Sequence, residues 1–206
     1  MSRAGPPVTT TFFLVRHAAH DRVGSVLCGR MPGVSLGALG REQARRLAER
    51  FANENVASIQ SSPLERAKET AEPIAARLAQ RIAVNEGLAE IDFGAWTGRS
   101  FSELHGDPAW ETWNGARSVS RPPGGESMLE AQRRIVHAIE VLREAYRERA
   151  VLLVSHSDVI KAALLYHLGL PVDAYARIEI EPASISTLVV GDWGSKVMHL
   201  NEVVAA

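Results

Sequence analysis

Four ionisable side chains stand where a site for anion binding and proton transfer would need them. Arg16-His17 closes the apolar run Phe12-Phe13-Leu14-Val15, and Ser155-His156 closes Val151-Leu152-Leu153-Val154. Both runs read as strands buried on both faces, and in open α/β sheets ligands bind beyond the carboxyl ends of such strands. A single imidazole in such a place more commonly satisfies a core or loop hydrogen bond. Two in equivalent places shift the balance toward a shared site. Arg66 lies in Ser61-Ser62-Pro63-Leu64-Glu65-Arg66-Ala67, just after a third short strand, Val56 to Gln60. In the opening turn of a helix, backbone donors and a guanidinium can converge on an anion; the plainer alternative is a solvated helix arginine. Glu90, within Leu88-Ala89-Glu90-Ile91-Asp92-Phe93, sits in a short apolar setting that would desolvate its carboxyl and raise its pKa, although alone it would read as a surface carboxylate.

The elements that must hold these residues alternate between strand and helix. From Gly40, the apolar residues Ala44, Leu47, Ala48 and Phe51 recur at helical spacing. Pro63 suits a first helical turn, and Ala67, Ala71, Ile74 and Leu78 continue that helix. Pro73 within it removes one intrahelical hydrogen bond and is expected to kink or interrupt it. Ser127 and Glu130 form a capping box ahead of a long helix whose stripe is read as Leu129, Val136, Ile139 and Tyr146. Val159 to Leu168 is helical and stops near Gly169 and Pro171. Thr187 to Val190, a Gly-Asp-Trp-Gly turn and Val197 to Leu200 make a closing hairpin. Between Phe93 and Pro123 the periodicity is lost, which predicts an irregular or short-helical excursion of the kind that often covers active sites. Trp96, Trp110 and Trp113 in it read as packing elements. The alternation argues for an α/β fold.

Composition limits the partners. Hydrophobic residues make up 46% of the 206 residues and charged residues 23%, which excludes disorder and fibrous repeats and suits one domain. Lysine and arginine number 23 against 24 acidic residues, so no global basic field would hold nucleic acid or an anionic membrane, and any anion site must be local. Cys28 is the sole cysteine, which excludes an intrachain disulfide. Residues 1–11 read as a flexible leader rich in Ser, Gly, Pro and Thr without a secretory apolar core, so a cytoplasmic location is expected. No apolar run approaches the ~20 residues of a membrane span.

Six segments, taken in order, resemble the histidine phosphatase superfamily, also called phosphoglycerate mutase-like. They are LVRH at Leu14 to His17, CGRMPGVSLGALGREQA from Cys28, SSPLERAKETA from Ser61, LAEIDFGAWTG from Leu88, PGGES from Pro123 and VSH from Val154. Any one could arise by chance; the ordered set could hardly do so. The resemblance implies a three-layer α/β/α sandwich with a mostly parallel central sheet, forming a single domain over 12–206 with a small irregular or helical cap insertion at about 93–123. It implies a phosphoric monoester hydrolase in which His17 attacks phosphorus and carries the phosphoryl group. Arg16, Arg66 and His156 would contact the nonbridging oxygens, supplying the positive charge that a metal supplies elsewhere, so neither metal nor other cofactor is called for. Glu90 would give a proton to the leaving alcohol and take one from water. Cys28, Gly29 and Arg30 fall in the family's substrate loop.

The sequence also departs from that pattern. After the nucleophile the family normally carries glycine, then Glu or Gln, then Ser or Thr, where this chain has Ala18, Ala19 and His20; the asparagine of many members falls at Val23. His20 or Arg30 is expected to replace that contact. A mutase is the nearest rival, but mutases resembling the family have a longer basic insertion, whereas Asp107 to Val119 holds only Arg117 as a cation. A non-catalytic phosphate-ligand binding protein is the reading from another class; it would have little use for Glu90. A metal site on His17-x-x-His20-Asp21 is weaker still, with no second ligand cluster in the sequence. The expected partner is a small-molecule phosphate ester, with no nucleic acid and no membrane, and a homodimer stays open. Sugar phosphates, phosphoserine, phosphoglycerate derivatives and cobalamin-pathway nucleotides all fit this far.

Overall fold

Every position from Phe12 to Val15 is apolar because both faces of the strand are covered. Phe12 and Leu14 enter one core, Phe13 and Val15 the other. In the computed structural model, which describes residues 8–204, this strand is β1 (Thr9–Arg16). It pairs in parallel with β4 (Ala150–Ser155) and antiparallel with β5 (Ser184–Gly191). With β2 (Val56–Ser61), β3 (Ile82–Val84) and β6 (Gly194–Val203), the sheet runs β3-β2-β4-β1-β5-β6. Its first four strands are mutually parallel; β5 pairs antiparallel with β1, and β6 antiparallel with β5.

Helices cover both faces, as a three-layer sandwich requires. On one side α1 (Ala38–Phe51) and α2 (Glu65–Arg77) bring Leu47, Phe51, Ala71 and Ile74 against Val15 and Val154. On the other, α5 (Met128–Ala145) and α6 (Ser157–His167) bring Ile135, Ile139, Ile160 and Leu164 against Leu14 and Leu153. Each of the larger of these side chains, fully buried, contributes about 1.5–3 kcal/mol. Within the Phe93–Pro123 stretch lie a 3-10 turn at Gly94–Trp96, α3 (Phe101–Leu104) and α4 (Pro108–Gly115). Trp96 and Trp113 are buried there, and Trp110 meets Trp96 edge-on with ring centroids 5.3 Å apart. Among the described residues no helix is long and apolar enough to cross a membrane.

Several expectations need correction. β1 begins at Thr9, not Phe12, so Thr9 to Thr11 belong to the sheet. They pair with Val189 to Gly191, and the Thr10 hydroxyl donates to the Tyr146 carbonyl at 3.1 Å. β-Branched threonine suits a pleated strand as well as a loop. Residues 1–7 of the expected leader lie outside the described residues. α2 runs through Pro73 without interruption; the burial of Ala67, Ala71, Ile74 and Ala75 around it outweighs one missing hydrogen bond. The buried stripe of α5 is Met128, Ala131, Ile135, Ala138, Ile139 and Leu142, with Leu129 turned to solvent. The capping box itself is present, the Ser127 and Glu130 side chains each accepting from the other's backbone N–H. β3 has no counterpart in the sequence reading. β5 starts three residues early because its Ser184 and Ser186 are buried yet look like a polar loop in sequence.

Candidate active site

Parallel pairing of Arg16 with Ser155 sets the two strand-end histidines side by side. The His17 amide donates to the Ser155 carbonyl at 2.8 Å, and the imidazole centroids of His17 and His156 are 5.1 Å apart. β2, on the far side of β4, delivers Ser62 beneath His156. α2 then starts at Glu65, which puts Arg66 in its first turn, 1% exposed. The loop after β1 is held by Thr70 and Gln43, whose side-chain oxygens accept from the amides of Ala18 and Ala19 at 2.9 Å each. Gly40 lies against this loop so closely that a Cβ there would fall 1.9 Å from the Ala19 carbonyl oxygen.

Hydrogen-bond partners fix the imidazole tautomers. His17 Nδ1 lies 2.8 Å from the Ala18 carbonyl oxygen, which can only accept, so Nδ1 carries the proton and Nε2 keeps its lone pair. Burial first, then the charges of Arg66 and Arg16, push the His17 pKa well below the ordinary imidazole range. His156 is fully buried; its Nδ1 is 3.2 Å from Arg66 Nη2, a donor, so Nε2 carries the proton and donates to the Ser62 hydroxyl at 2.8 Å. Burial and Arg66 hold its pKa low as well. The positive charge expected of His156 is therefore carried by the two guanidinia, while His156 enters as a neutral ring.

Arg66 Nη2 also donates to the Gly29 carbonyl at 2.7 Å, and Arg16 Nη1 donates to the Ile180 carbonyl at 2.6 Å. That leaves Arg16 Nε and Arg66 Nε and Nη1 buried without a hydrogen-bond partner. Orphaned donors on two adjacent cations call for an acceptor of negative charge. Glu90 faces them, its Oε2 3.7 Å from His156 Nδ1 and its Oε1 accepting from the Ile91 amide at 2.9 Å. Burial, with the Asp158 carboxylate as second cause, pushes its pKa up to about 7.

Arg16, His17, Arg66 and Glu90 line one cavity of about 180 Å³ together with His20, Cys28, Gly29 and Asp158, while His156 is fully buried and outside the lining. His20 stacks on His17 with centroids 5.4 Å apart, and its pKa is pushed down to about 4, chiefly by burial. Burial raises the Cys28 thiol, so it stands in the wall as an unreactive side chain. Arg30 joins His156 as an expected residue outside that lining. Its guanidinium donates to the Glu90 carbonyl at 2.7 Å and pairs with Glu126 at 3.1 Å, bracing the Glu90 segment from outside. Sequence reasoning missed Ser62, Thr70, Gln43 and Asp158. Ser62 and Thr70 stand within the arginine-bearing segment, and Asp158 two residues past His156 was a findable signal; Gln43 carried none. Among the described residues no group of three or more His, Cys, Asp or Glu converges as metal ligands do. A larger groove of about 710 Å³ between α1 and α2 holds none of the site residues.

The family model described as histidine phosphatase superfamily, branch 1, matches residues 12–203. A bifunctional protein of Mycobacterium tuberculosis is 35% identical over 150 residues, 71% of this chain; the chain spans only 41% of that relative's length. A putative phosphoserine phosphatase of Hydrogenobacter thermophilus is 30% identical over 196 residues, 93% of this chain and 95% of its own. Among solved structures, a mycobacterial glucosyl-3-phosphoglycerate phosphatase superposes with a TM-score of 0.85 at 26% identity, covering 94% of this chain and 99% of its own.

Proposed function

The chain belongs to the histidine phosphatase superfamily, and from that membership we propose that it hydrolyses a small phosphate monoester through a phosphohistidine at His17. The observation that carries this reading is the neutral His17 imidazole, Nδ1 tied to Ala18, beside the partnerless buried donors of Arg16 and Arg66. Nε2 attacks phosphorus in line, the bond to the ester oxygen breaks, and the Glu90 carboxyl gives its proton to the departing alkoxide. A carboxyl with a pKa of about 7 holds that proton at neutral pH. In the second half Glu90 takes a proton from water as the oxygen attacks phosphorus, releasing orthophosphate and restoring the imidazole. The guanidinia spread over the nonbridging oxygens do the electrostatic work throughout. The incoming dianion favours the protonated form of His156, which then donates to it from Nδ1.

Hydrolysis is favoured over mutase chemistry because the only cation of the Asp107–Val119 stretch, Arg117, is paired with Asp158 at 2.9 Å and leaves no second phosphate site there. Phosphoserine and glucosyl-3-phosphoglycerate, for which relatives are named, belong in the test panel beside esters of neutral and cationic alcohols. A panel of metabolite esters with the His17→Ala protein as blank tests the proposal. Phosphate release that depends on His17 supports it, and release that persists in the blank refutes it.

A further inference from the structure

The cavity lining has two chemically different parts. Arg16, Arg66 and His17 are the groups that suit a phosphoryl group. Apart from these and Glu90, the lining includes the apolar Val23, Val26, Leu27, Phe93 and Phe101 and one further carboxylate, Asp158. Among the described residues Arg16 and Arg66 are the only lysine or arginine side chains in the lining. The other cations nearby stay out of the lining. Arg30 is held by Glu126 and the Glu90 carbonyl; the exposed Arg22 has its guanidinium 3.6 Å from the Met31 sulfur, and its charge reaches the lining residues His20 and Cys28. Arg117 sits behind Asp158, 5% exposed, sandwiched between the Tyr175 and Trp113 rings at 3.5 and 4.9 Å. The Arg117–Asp158 pair is neutral as a whole, and its negative member is the one that meets the cavity.

We propose that the leaving-group end of this cavity takes an alcohol that is uncharged or cationic and has an apolar face, and that Asp158 turns away esters bearing a carboxylate or a second phosphate there. The proposal rests on the phosphomonoesterase reading above. An acidic leaving group would meet the Asp158 carboxylate with no lysine or arginine of the lining left to pair with it, a like-charge contact in a setting where water screens it poorly. An ammonium group would find Asp158 as its partner, and an alkyl group would be buried against Leu27, Phe93 and Phe101.

Three esters of comparable primary alcohols separate the cases: propyl phosphate, phosphoethanolamine and 3-phosphoglycerate. Propyl phosphate and phosphoethanolamine are expected to exceed 3-phosphoglycerate in kcat/KM by at least about ten-fold, and Asp158→Asn to narrow that gap by about ten-fold. Asp158 also acts on Glu90, but that effect is common to all three esters and cancels in the ratio. Val23→Lys, at an exposed wall position, should shift the same ratio toward 3-phosphoglycerate, and it serves if Asp158→Asn does not fold. Calorimetric binding of the three esters to the His17→Ala protein reads the selectivity without turnover. Absence of hydrolysis would thus count against the phosphatase reading alone. A preference for 3-phosphoglycerate, or a ratio that neither wall substitution moves, would overturn the charge assignment.

Discussion

Burial acts on Glu90 and His17 in opposite senses, and both outcomes suit the proposed reaction. Desolvation disfavours whichever form is charged, so it keeps the imidazole neutral and the carboxyl protonated. The proposed nucleophile, with a free lone pair, and the proposed acid, holding its proton, coexist near neutral pH. Because the proposed first step needs the acid form of Glu90, kcat/KM should fall as pH rises through about 7. Glu90→Gln should lose about 10²–10⁴-fold on alkyl esters and much less on p-nitrophenyl phosphate, whose leaving group needs no proton; equal losses on both would contradict the acid role. The stability linkage has the same sign. A carboxyl whose folded pKa is raised favours the fold below its unfolded pKa and loses that contribution as pH rises through its folded one, so Glu90→Gln should raise Tm at pH 8 more than at pH 5. The sequence already implied a carboxyl in apolar surroundings. It could not reveal that Arg30 faces outward, since its direction depends on Glu126, 96 residues away.

Among elements, the loop after β1 depends on a close approach that no residue within it announces. Gly40, in the first turn of α1, allows the Ala19 carbonyl to lie on the helix, and a methyl group there must displace that loop. Gly40→Ala should therefore cost activity on the order of 10²-fold, since displacements near 1 Å from distant substitutions have that effect, with far-UV circular dichroism unchanged. Retained activity would mean that the loop adapts. The elements with strong signals, such as the doubly buried β1 and β4 and the capped α5, could be read in the sequence because hydrophobic pattern and capping chemistry are local. β3 could not, since Ile82–Val84 is three residues long and becomes a strand only by lying beside Ile59–Ser61. The same holds for the continuity of α2 through Pro73, which tertiary packing decides.

Across the whole molecule, the Phe93–Pro123 stretch is tied to the body of the fold through Arg117. Its guanidinium pairs with Asp158 at the start of α6 and stacks on Tyr175, while the amide and hydroxyl of Ser118 both donate to Asp173. Arg117→Met should lower unfolding stability by roughly 2 kcal/mol in urea titration, the scale for losing a hydrogen bond to a charged group whose carboxylate stays partly exposed, and should loosen the wall that Asp158 provides. These contacts join residues 41 to 58 positions apart, which is why the sequence could suggest an excursion over a site but not where it docks. The central claim concerns one imidazole, and rapid acid-free quenching of the full chain during turnover of ³²P-labelled ester tests it most directly. The account predicts acid-labile, alkali-stable label on the peptide containing His17 and none in His17→Ala; label on any other side chain, or undiminished hydrolysis by His17→Ala, would contradict it.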